Sequence, residues 1–347
     1  MKSNPILPMK YLLLKTVMAQ KIAILAMALI SLALPVMAEE PPAVQSGQKI
    51  AFLGDSITAY GWGIPGGYVR LVVDGLGQMG IKVEPVPAGV GGNTSQDMLA
   101  RLDRDVLSKH PDWMTLSCGV NDVWHGANGV DLETYKQNIT AIVDKATAQG
   151  IKVVILTATP IGEDDNGNNQ KLVAYNDFLR QFAKERNLPL ADLNADFHTA
   201  LQKFMISSSS RYLTVDGVHM NSEGNVLMAK GCLRAFGLSP QNVDKIEQNW
   251  LDQPNTAMVA CASFDPRPNI GITLAQSRKI SEAAQARMIT SVQLSLTLWL
   301  QALGEVLQAH AQDTVLDAEL IKKETNALLL KKINGVGKSP VPTPGTP

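Results

Sequence analysis

The sequence is poor in several residue types, and each shortage excludes a class of protein. Only 3 of its 347 residues are cysteine, which is too few for a fold held together by disulfides. Aromatic residues make up only 5% of the chain. The 31 Lys and Arg residues nearly balance the 32 Asp and Glu residues, so there is no basic excess of the kind that nucleic-acid binding requires. With 45% hydrophobic and 18% charged residues, the composition is typical of a globular protein rather than a disordered one.

The N-terminus has the pattern of a secretory signal. Residues 1–21 contain four lysines and no acid, residues 22–38 contain no charge, and Glu39 and Glu40 follow. A basic start, an apolar run and small residues before a polar segment predict a signal peptide over 1–38 with cleavage after Ala38. Cleavage would leave an exported protein, periplasmic or extracellular, with no stable membrane span and a formal charge of −5 instead of −1.

Two alternatives remain open at this end. The 17 residues of the apolar run are at the lower limit of the length that spans a bilayer, so an uncleaved anchor is also compatible with the sequence. Met9 and Met18 are each followed by a signal of ordinary length, and either could be the true start.

After a linker over 39–47, short apolar runs alternate with segments of helical periodicity. This alternation predicts an α/β domain over 48–238, with a parallel sheet covered by helices on both faces. Such sheets bind ligands at the carboxyl ends of their strands. The predicted strands are 49–54, 82–88, 113–118, 152–158 and 188–193, and the predicted helices are 68–79, 95–107, 132–148, 169–186 and 222–236.

The alternation stops near residue 239. Residues 239–334 predict a mainly helical C-terminal extension, irregular over 253–272, and the Pro- and Gly-rich residues 335–347 predict a disordered tail. Residues 292–300 alternate with period two, so a strand competes there with the helix that the Ala-, Gln- and Leu-rich flanks favour. The three cysteines, Cys118, Cys232 and Cys261, allow one disulfide with a free thiol or three buried thiols.

Four polar blocks fall at the ends of predicted strands or just before the last helix of the α/β domain. Taken singly, each is an ordinary turn or helix cap. Together they supply a serine nucleophile, a histidine base with a carboxylate three residues before it, and glycine and asparagine donors for an oxyanion. The blocks are GDSIT at 54–58, GVGGNTS at 89–95, GVND at 119–122 and DGVH at 216–219.

These blocks resemble the four motifs of the SGNH hydrolases, also called the GDSL esterase/lipase family, over residues 48–237. The resemblance implies a flavodoxin-like three-layer α/β/α fold with strand order 2-1-3-4-5. It also implies a catalytic triad of Ser56, His219 and Asp216. The oxyanion hole would be formed by the Ser56 and Gly92 backbone N–H groups and the Asn121 side chain.

The substrate is less well indicated. Asp55 and Asn93 flank the predicted site and either contact substrate or hold its loops. Four aromatic residues, Tyr60, Trp62, Tyr68 and Trp124, follow the motif blocks and either stack on sugar rings or pack the loops. No metal or cofactor is expected.

Because no long apolar insertion is evident, we expect short acyl groups, such as acetyl esters of carbohydrate, to be the substrate. A lysophospholipase- or thioesterase-type lipid esterase, an acyltransferase with a sugar acceptor and a non-catalytic binding module are the alternatives. The oligomeric state stays open.

Overall fold

The computed structural model describes residues 42–203, 212–259, 270–287, 289–313 and 315–336. The predicted signal peptide, Cys261 and nearly all of the predicted tail lie outside these ranges.

Five parallel strands form the central sheet, in the order β2-β1-β3-β4-β5. This is the predicted order 2-1-3-4-5, and the predicted fold class is confirmed. Strands β1 and β3 and most of β4 are buried, as expected for apolar runs with helices on both faces. The bounds are β1 Lys49–Gly54, β2 Glu84–Gly89, β3 Trp113–Ser117, β4 Lys152–Leu156 and β5 Leu190–Ala191.

Nine α-helices accompany the sheet within the described part of residues 42–250. Helix α2 packs against α8, and α3 packs against α5. Helices α1, α4 and α7 were not predicted. Helices α1 and α4 begin inside the motif blocks, and α7 begins at the last residue of the predicted strand 188–193. The bounds are α1 Ser56–Gly63, α2 Tyr68–Gln78, α3 Ser95–Asp105, α4 Val120–Trp124, α5 Leu132–Ala148, α6 Gly167–Glu185, α7 Leu193–Lys203, α8 Ser222–Ala235 and α9 Pro240–Trp250.

The prediction for 188–193 was wrong in extent, since only Leu190 and Ala191 pair with β4. The reason is local. The Asp192 carboxylate accepts a hydrogen bond from the Ala195 N–H at 3.3 Å, and so the chain turns into α7 directly after the strand.

The C-terminal extension is mainly helical, as predicted, with α10 Leu274–Gln285, α11 Ser291–Ala309 and α12 Ala318–Gly335. The helical alternative for 292–300 is confirmed, because a capping box between Thr290 and Gln293 starts α11. The prediction of an irregular 253–272 was wrong in part. Antiparallel strands β6 (Ala257–Val259) and β7 (Ile270–Ile272) pair there, and their side chains join a second hydrophobic cluster with α10, α11 and α12.

Both described cysteines, Cys118 and Cys232, are buried free thiols. Burial raises the pKa of Cys118 and raises that of Cys232 to about 12, so neither thiol ionises at neutral pH. Among the described helices, none combines the length and the apolar character needed to cross a membrane.

Candidate active site

Ser56 is the first residue of α1 and follows β1 after a single residue, Asp55. Asp55 caps the helix, because its carboxylate accepts a hydrogen bond from the Ile57 N–H at 2.9 Å. The helix lies so close to the sheet that a Cβ atom added to Gly89 would be 2.3 Å from the Ala59 nitrogen. Glycine at the end of β2 therefore lets the predicted nucleophile lie at the carboxyl edge of the sheet.

A chain of hydrogen bonds joins Ser56, His219 and Asp216. The His219 Nε2 atom is 2.9 Å from the Ser56 Oγ atom, and its Nδ1 atom is 2.6 Å from the Asp216 Oδ2 atom. The other Asp216 oxygen accepts hydrogen bonds from the backbone N–H groups of Val218 and His219, at 2.9 and 2.7 Å. Burial alone would raise the pKa of Asp216, but these hydrogen bonds outweigh it and lower the pKa. The carboxylate is thus held ionised beside the imidazole, an arrangement that activates a serine hydroxyl as a nucleophile.

The turn that carries Asp216 and His219 is anchored by Glu163, which the sequence analysis missed. Glu163 follows β4 and is buried. Its carboxylate accepts hydrogen bonds from the backbone N–H groups of Tyr212, Leu213 and Thr214, at 2.7 to 2.9 Å. It also accepts one from the Thr214 hydroxyl at 2.6 Å. A single acid about 50 residues upstream in sequence thereby positions the turn that carries Asp216 and His219. No local motif could have revealed this long-range role of Glu163.

The predicted oxyanion-hole residues lie in two turns near Ser56. A Cβ atom added to Gly91 would be 3.8 Å from the Ser56 Cβ atom, so the turn containing Gly92 lies beside Ser56, the predicted nucleophile. Gly92 itself has a positive φ of 77°, a conformation that glycine favours. Asn121 lies on α4, is buried, and donates from Nδ2 to the Asn93 carbonyl at 3.1 Å.

Glycine is required at the start of α4. Gly119 has a φ of 127°, and a Cβ atom there would lie 3.1 Å from the Ala158 Cβ atom and 3.3 Å from the Tyr135 hydroxyl. This close approach sets the entry of the chain into the helix that carries Asn121.

Arg101 on α3 is a second positioning residue that the sequence analysis missed. Its buried guanidinium donates to the carbonyls of Gly54 and Ala88, at 2.8 and 2.9 Å, and to the Asn93 side chain at 2.5 Å. It therefore ties the ends of β1 and β2 to the loop that follows β2. Asn93, predicted as a possible substrate contact, has its side-chain oxygen engaged in this network.

Two further carboxylates lie beneath the site. Desolvation by burial raises the pKa of Asp55 to about 6, and it also raises the pKa of Asp122. Asp122 accepts hydrogen bonds from the Ser95 N–H and hydroxyl, at 2.9 and 2.6 Å, and so joins the blocks at 89–95 and 119–122.

The four aromatic residues of the sequence analysis have different surroundings. The Tyr60 ring meets the His219 ring edge-on, with ring centroids 5.1 Å apart. The Trp62 ring lies under the Arg70 guanidinium, 4.6 Å from its centroid. Trp124 is 44% exposed. Tyr68 is fully buried with its hydroxyl 2.8 Å from the Thr58 hydroxyl, so of the two alternatives for this ring the structure shows packing within the fold.

A cavity of about 70 Å³ is lined by His219 and Tyr60, among other residues. Part of its wall belongs to the C-terminal extension, in which the sequence analysis found no functional residue.

Comparison with known proteins finds esterases among the relatives of this chain. The GDSL-like Lipase/Acylhydrolase family model matches residues 52–227, about half of the chain. An acetylxylan esterase from Geobacillus stearothermophilus is 29% identical over 216 residues, which cover 56% of this chain and 96% of that protein. An uncharacterized lipoprotein from Bacillus subtilis is 26% identical over 172 residues, which cover 42% of this chain and 70% of that protein.

Among solved structures, an acetyl xylan esterase, AlAXEase, superposes with a TM-score of 0.51 at 36% identity, over 54% of this chain and 98% of that one. These relatives include proteins named as esterases. The family match contains all four motif blocks and ends eight residues after the last of them. The chain belongs to the GDSL-like lipase/acylhydrolase family and is a carboxylic ester hydrolase.

Proposed function

We propose that the chain is an exported serine esterase that removes acetyl groups from carbohydrate, with Ser56, His219 and Asp216 as its catalytic triad. The observation that supports the chemistry best is the hydrogen-bond chain from the Ser56 hydroxyl through His219 to Asp216, at 2.9 and 2.6 Å. The similarity to acetylxylan esterases supports the choice of substrate.

The first half-reaction forms an acyl-enzyme. His219 Nε2 takes the proton of the Ser56 hydroxyl as Oγ attacks the ester carbonyl carbon. The carbonyl oxygen becomes an oxyanion, which accepts hydrogen bonds from the Ser56 and Gly92 N–H groups and the Asn121 amide. When the intermediate collapses, the bond to the alcohol oxygen breaks, and His219 gives its proton to the departing alcohol.

The second half-reaction uses water. His219 takes a proton from a water molecule, whose oxygen attacks the acetyl carbon. Collapse of this intermediate releases acetate and returns the proton to Ser56. Asp216 stabilises the imidazolium that forms in each step, which is the role that its lowered pKa fits.

The test is acetate release by the purified protein from acetylated xylo-oligosaccharide, compared with hydrolysis of aryl esters of rising acyl length. We expect acetate release and a preference for acetyl over octanoyl esters. Equal rates on long acyl chains, with no acetate from the glycan, would instead support a lipid esterase. Transfer of acetyl to an added sugar in preference to water would support an acyltransferase.

Export rests on the N-terminal sequence. Expression of the full-length chain in a bacterium, followed by N-terminal sequencing of the protein outside the cytoplasm, should give a chain that starts at Glu39. A full-length chain in the membrane fraction would support the uncleaved anchor.

A further inference from the structure

The cavity beside His219 is built by two parts of the chain that are distant in sequence. One part of its wall comes from Tyr60 and Ile64 and from residues 214–223 around His219. The other part comes from Met258, from α10 and from the start of α11. The second part lies wholly beyond residue 227, where the family match ends. The family match therefore gives no information about this part of the wall.

The wall of the cavity includes only one of the groups that take part in the proposed reaction. His219 belongs to the wall, whereas Ser56, Gly92 and Asn121 do not. In the proposed reaction, the carbonyl oxygen faces Gly92 and Asn121, while the alcohol oxygen must reach His219 Nε2 to receive its proton. We therefore expect the substituent on the alcohol oxygen to be the part of the ester that lies nearest to this cavity.

A larger cavity of about 370 Å³ adjoins the first and is lined by residues of α8 and α10, among others. The two share the wall residues Glu223, Ser281, Thr290 and Ser291. The smaller cavity alone has room for only a few atoms, and we call the two adjoining cavities together the cleft. Ser281 and Ser291 lie where the cavities meet, with their hydroxyl oxygens 3.2 Å apart.

The wall of the cleft is mixed: apolar surface exceeds polar surface, and hydroxyl and charged side chains are spread along it. Five hydroxyl side chains of the extension face the smaller cavity, together with apolar groups such as Ile280 and Met258. Charged side chains, among them Glu223 and Arg278, face the larger one. A fatty chain there would cover these polar groups without offering hydrogen bonds, at a cost in binding free energy. Sugar hydroxyls can form the hydrogen bonds that displaced water molecules made with these polar groups, and sugar C–H faces can pack on the apolar groups. The five hydroxyls belong to Ser277, Ser281, Thr290, Ser291 and Ser295.

The extension is tied firmly to the segment that carries His219. Arg278 on α10 donates to both carboxylate oxygens of Glu223, at 2.9 and 3.2 Å, and to Glu247 at 2.6 Å. Glu223 is four residues past His219, so this bidentate pair fixes the position of α10, and with it the cavity wall, relative to His219. On the other side, a Cβ atom added to Gly66 would be 2.6 Å from the Ala257 Cα atom, so β6 packs directly on the loop after the nucleophile helix.

From these contacts we infer that the C-terminal extension forms the binding site for the alcohol part of the ester, and that it favours a polyhydroxylated alcohol over a simple one. The inference rests on the proposed function only in that Ser56 and His219 are taken as the reacting pair. It makes the extension a specificity element of the esterase.

The test is to place a large side chain in the cleft, from α11 in one variant and from α10 in another. Ser291→Phe on α11 and Ser281→Phe on α10 place a ring where the two cavities meet. We expect kcat/KM for acetylated xylo-oligosaccharide to fall about tenfold or more, a change typical of a lost fit in a binding pocket. We expect kcat/KM for ethyl acetate, whose alcohol part is too small to reach the cleft, to stay within about twofold of the parent. Gln301→Phe, on an exposed position of α11, is the matched control and should change neither value.

Three results would overturn the inference. The first is an equal loss of kcat/KM on both substrates with each folded variant, and the second is no loss on either substrate. The third is a change in kcat/KM that depends on acyl length in a series of phenyl esters. If either phenylalanine variant fails to fold, Ser291→Leu and Ser281→Leu make the same test with a smaller group. Failure of the proposed substrate looks different. A parent protein that hydrolyses ethyl acetate but releases no acetate from the glycan would contradict carbohydrate deacetylation. The cleft would then still be tested by the ratio of phenyl acetate to ethyl acetate hydrolysis in the same variants.

Discussion

The α/β domain and the C-terminal extension contribute to this site in different ways. In the domain, buried polar side chains hold one motif block to another. Asp122 joins Ser95, Arg101 joins Gly54 to Asn93, and Glu163 holds the turn before Asp216. The extension has a small apolar core of its own and exposes large apolar side chains, with Leu300 53% exposed. It supplies the cavity beside His219 with a wall rather than with a reacting group.

We infer from this difference that chemistry and selectivity are located in separate parts of the chain. Changes in the domain should remove the reaction for every ester. Changes in the extension should leave the reaction intact and alter which alcohols are accepted. The following predictions test this separation, beginning with the largest expected effect.

Ser56→Ala should abolish activity on all esters, with a loss in kcat on the order of 10⁴-fold or more, because the attacking oxygen is removed. The measurement is the steady-state rate on ethyl acetate and acetylated xylo-oligosaccharide, with circular dichroism to show that the variant folds. Ser108→Ala, at an exposed serine, is the control and should keep full activity. Residual activity within tenfold of the parent would exclude Ser56 as the nucleophile.

Asn121→Ala should lower kcat by about 10²- to 10³-fold on every ester and change KM little, because an oxyanion donor acts in the transition state. The same assays measure it, with Asn128→Ala at an exposed nearby position as the control. A fall confined to the glycan substrate would show that Asn121 contacts the alcohol part instead, and this would break the separation between the two regions.

Asp55→Asn should change how stability depends on pH. The folded protein holds the Asp55 proton up to a pH of about 6, whereas the unfolded chain releases it near 3.8. Between these values the folded state binds more protons than the unfolded state, so the contribution of Asp55 to stability is lost as pH rises. The variant lacks this loss, so the free energy of unfolding of the variant should rise relative to that of the parent by about 2 kcal/mol between pH 4 and pH 7.

Denaturant unfolding at a series of pH values measures this gain. Asp252→Asn, at an exposed carboxylate of the extension, is the matched control and should leave the difference from the parent flat over the same range. A flat difference for Asp55→Asn would mean that the buried carboxylate ionises as freely as an exposed one.

Arg278→Met should have the smallest effect and should be confined to selectivity. Loss of the contacts to Glu223 and Glu247 removes about 1 kcal/mol of interaction at a partly exposed site, which allows the wall to shift. We expect kcat/KM for acetylated xylo-oligosaccharide to fall by up to about fivefold, with ethyl acetate unchanged. Lys332→Met, which breaks the Lys332–Glu305 pair inside the extension, should leave both values unaltered. Equal falls in kcat/KM for the two variants would show that the contact from Arg278 to Glu223 is not specifically responsible for selectivity.

Much of the fold could be predicted because its signals are local. Apolar runs such as 49–54 and 152–156 become buried strands, and the helix over Leu132–Ala148 keeps its predicted bounds. The strand at Leu190–Ala191 is shorter than predicted because Asp192 starts a helix, and sequence periodicity does not register a single capping hydrogen bond.

The candidate site divides in the same way. Ser56, Asp216 and His219 could be named because their spacing within compact motifs matches a family. Glu163, Arg101 and the serines of α10 and α11 could not, because they act across long stretches of chain and their local sequence looks like that of any loop or surface helix. The two alternatives for Tyr68 stayed open at the level of sequence for a related reason. Aromatic rings near a motif can be buried or exposed, and only packing determines which.

The sequence by itself determined the alternation of strands and helices in the α/β domain and named the candidates for the reacting residues, because hydrophobic periodicity and short motifs are properties of neighbouring residues. The tertiary structure alone decided which buried acids and bases hold those residues in place, and which distant helices enclose the space next to His219. Such contacts join residues that are 50 to more than 200 positions apart in sequence, so they exist only once the sheet, the helices and the C-terminal extension have packed together.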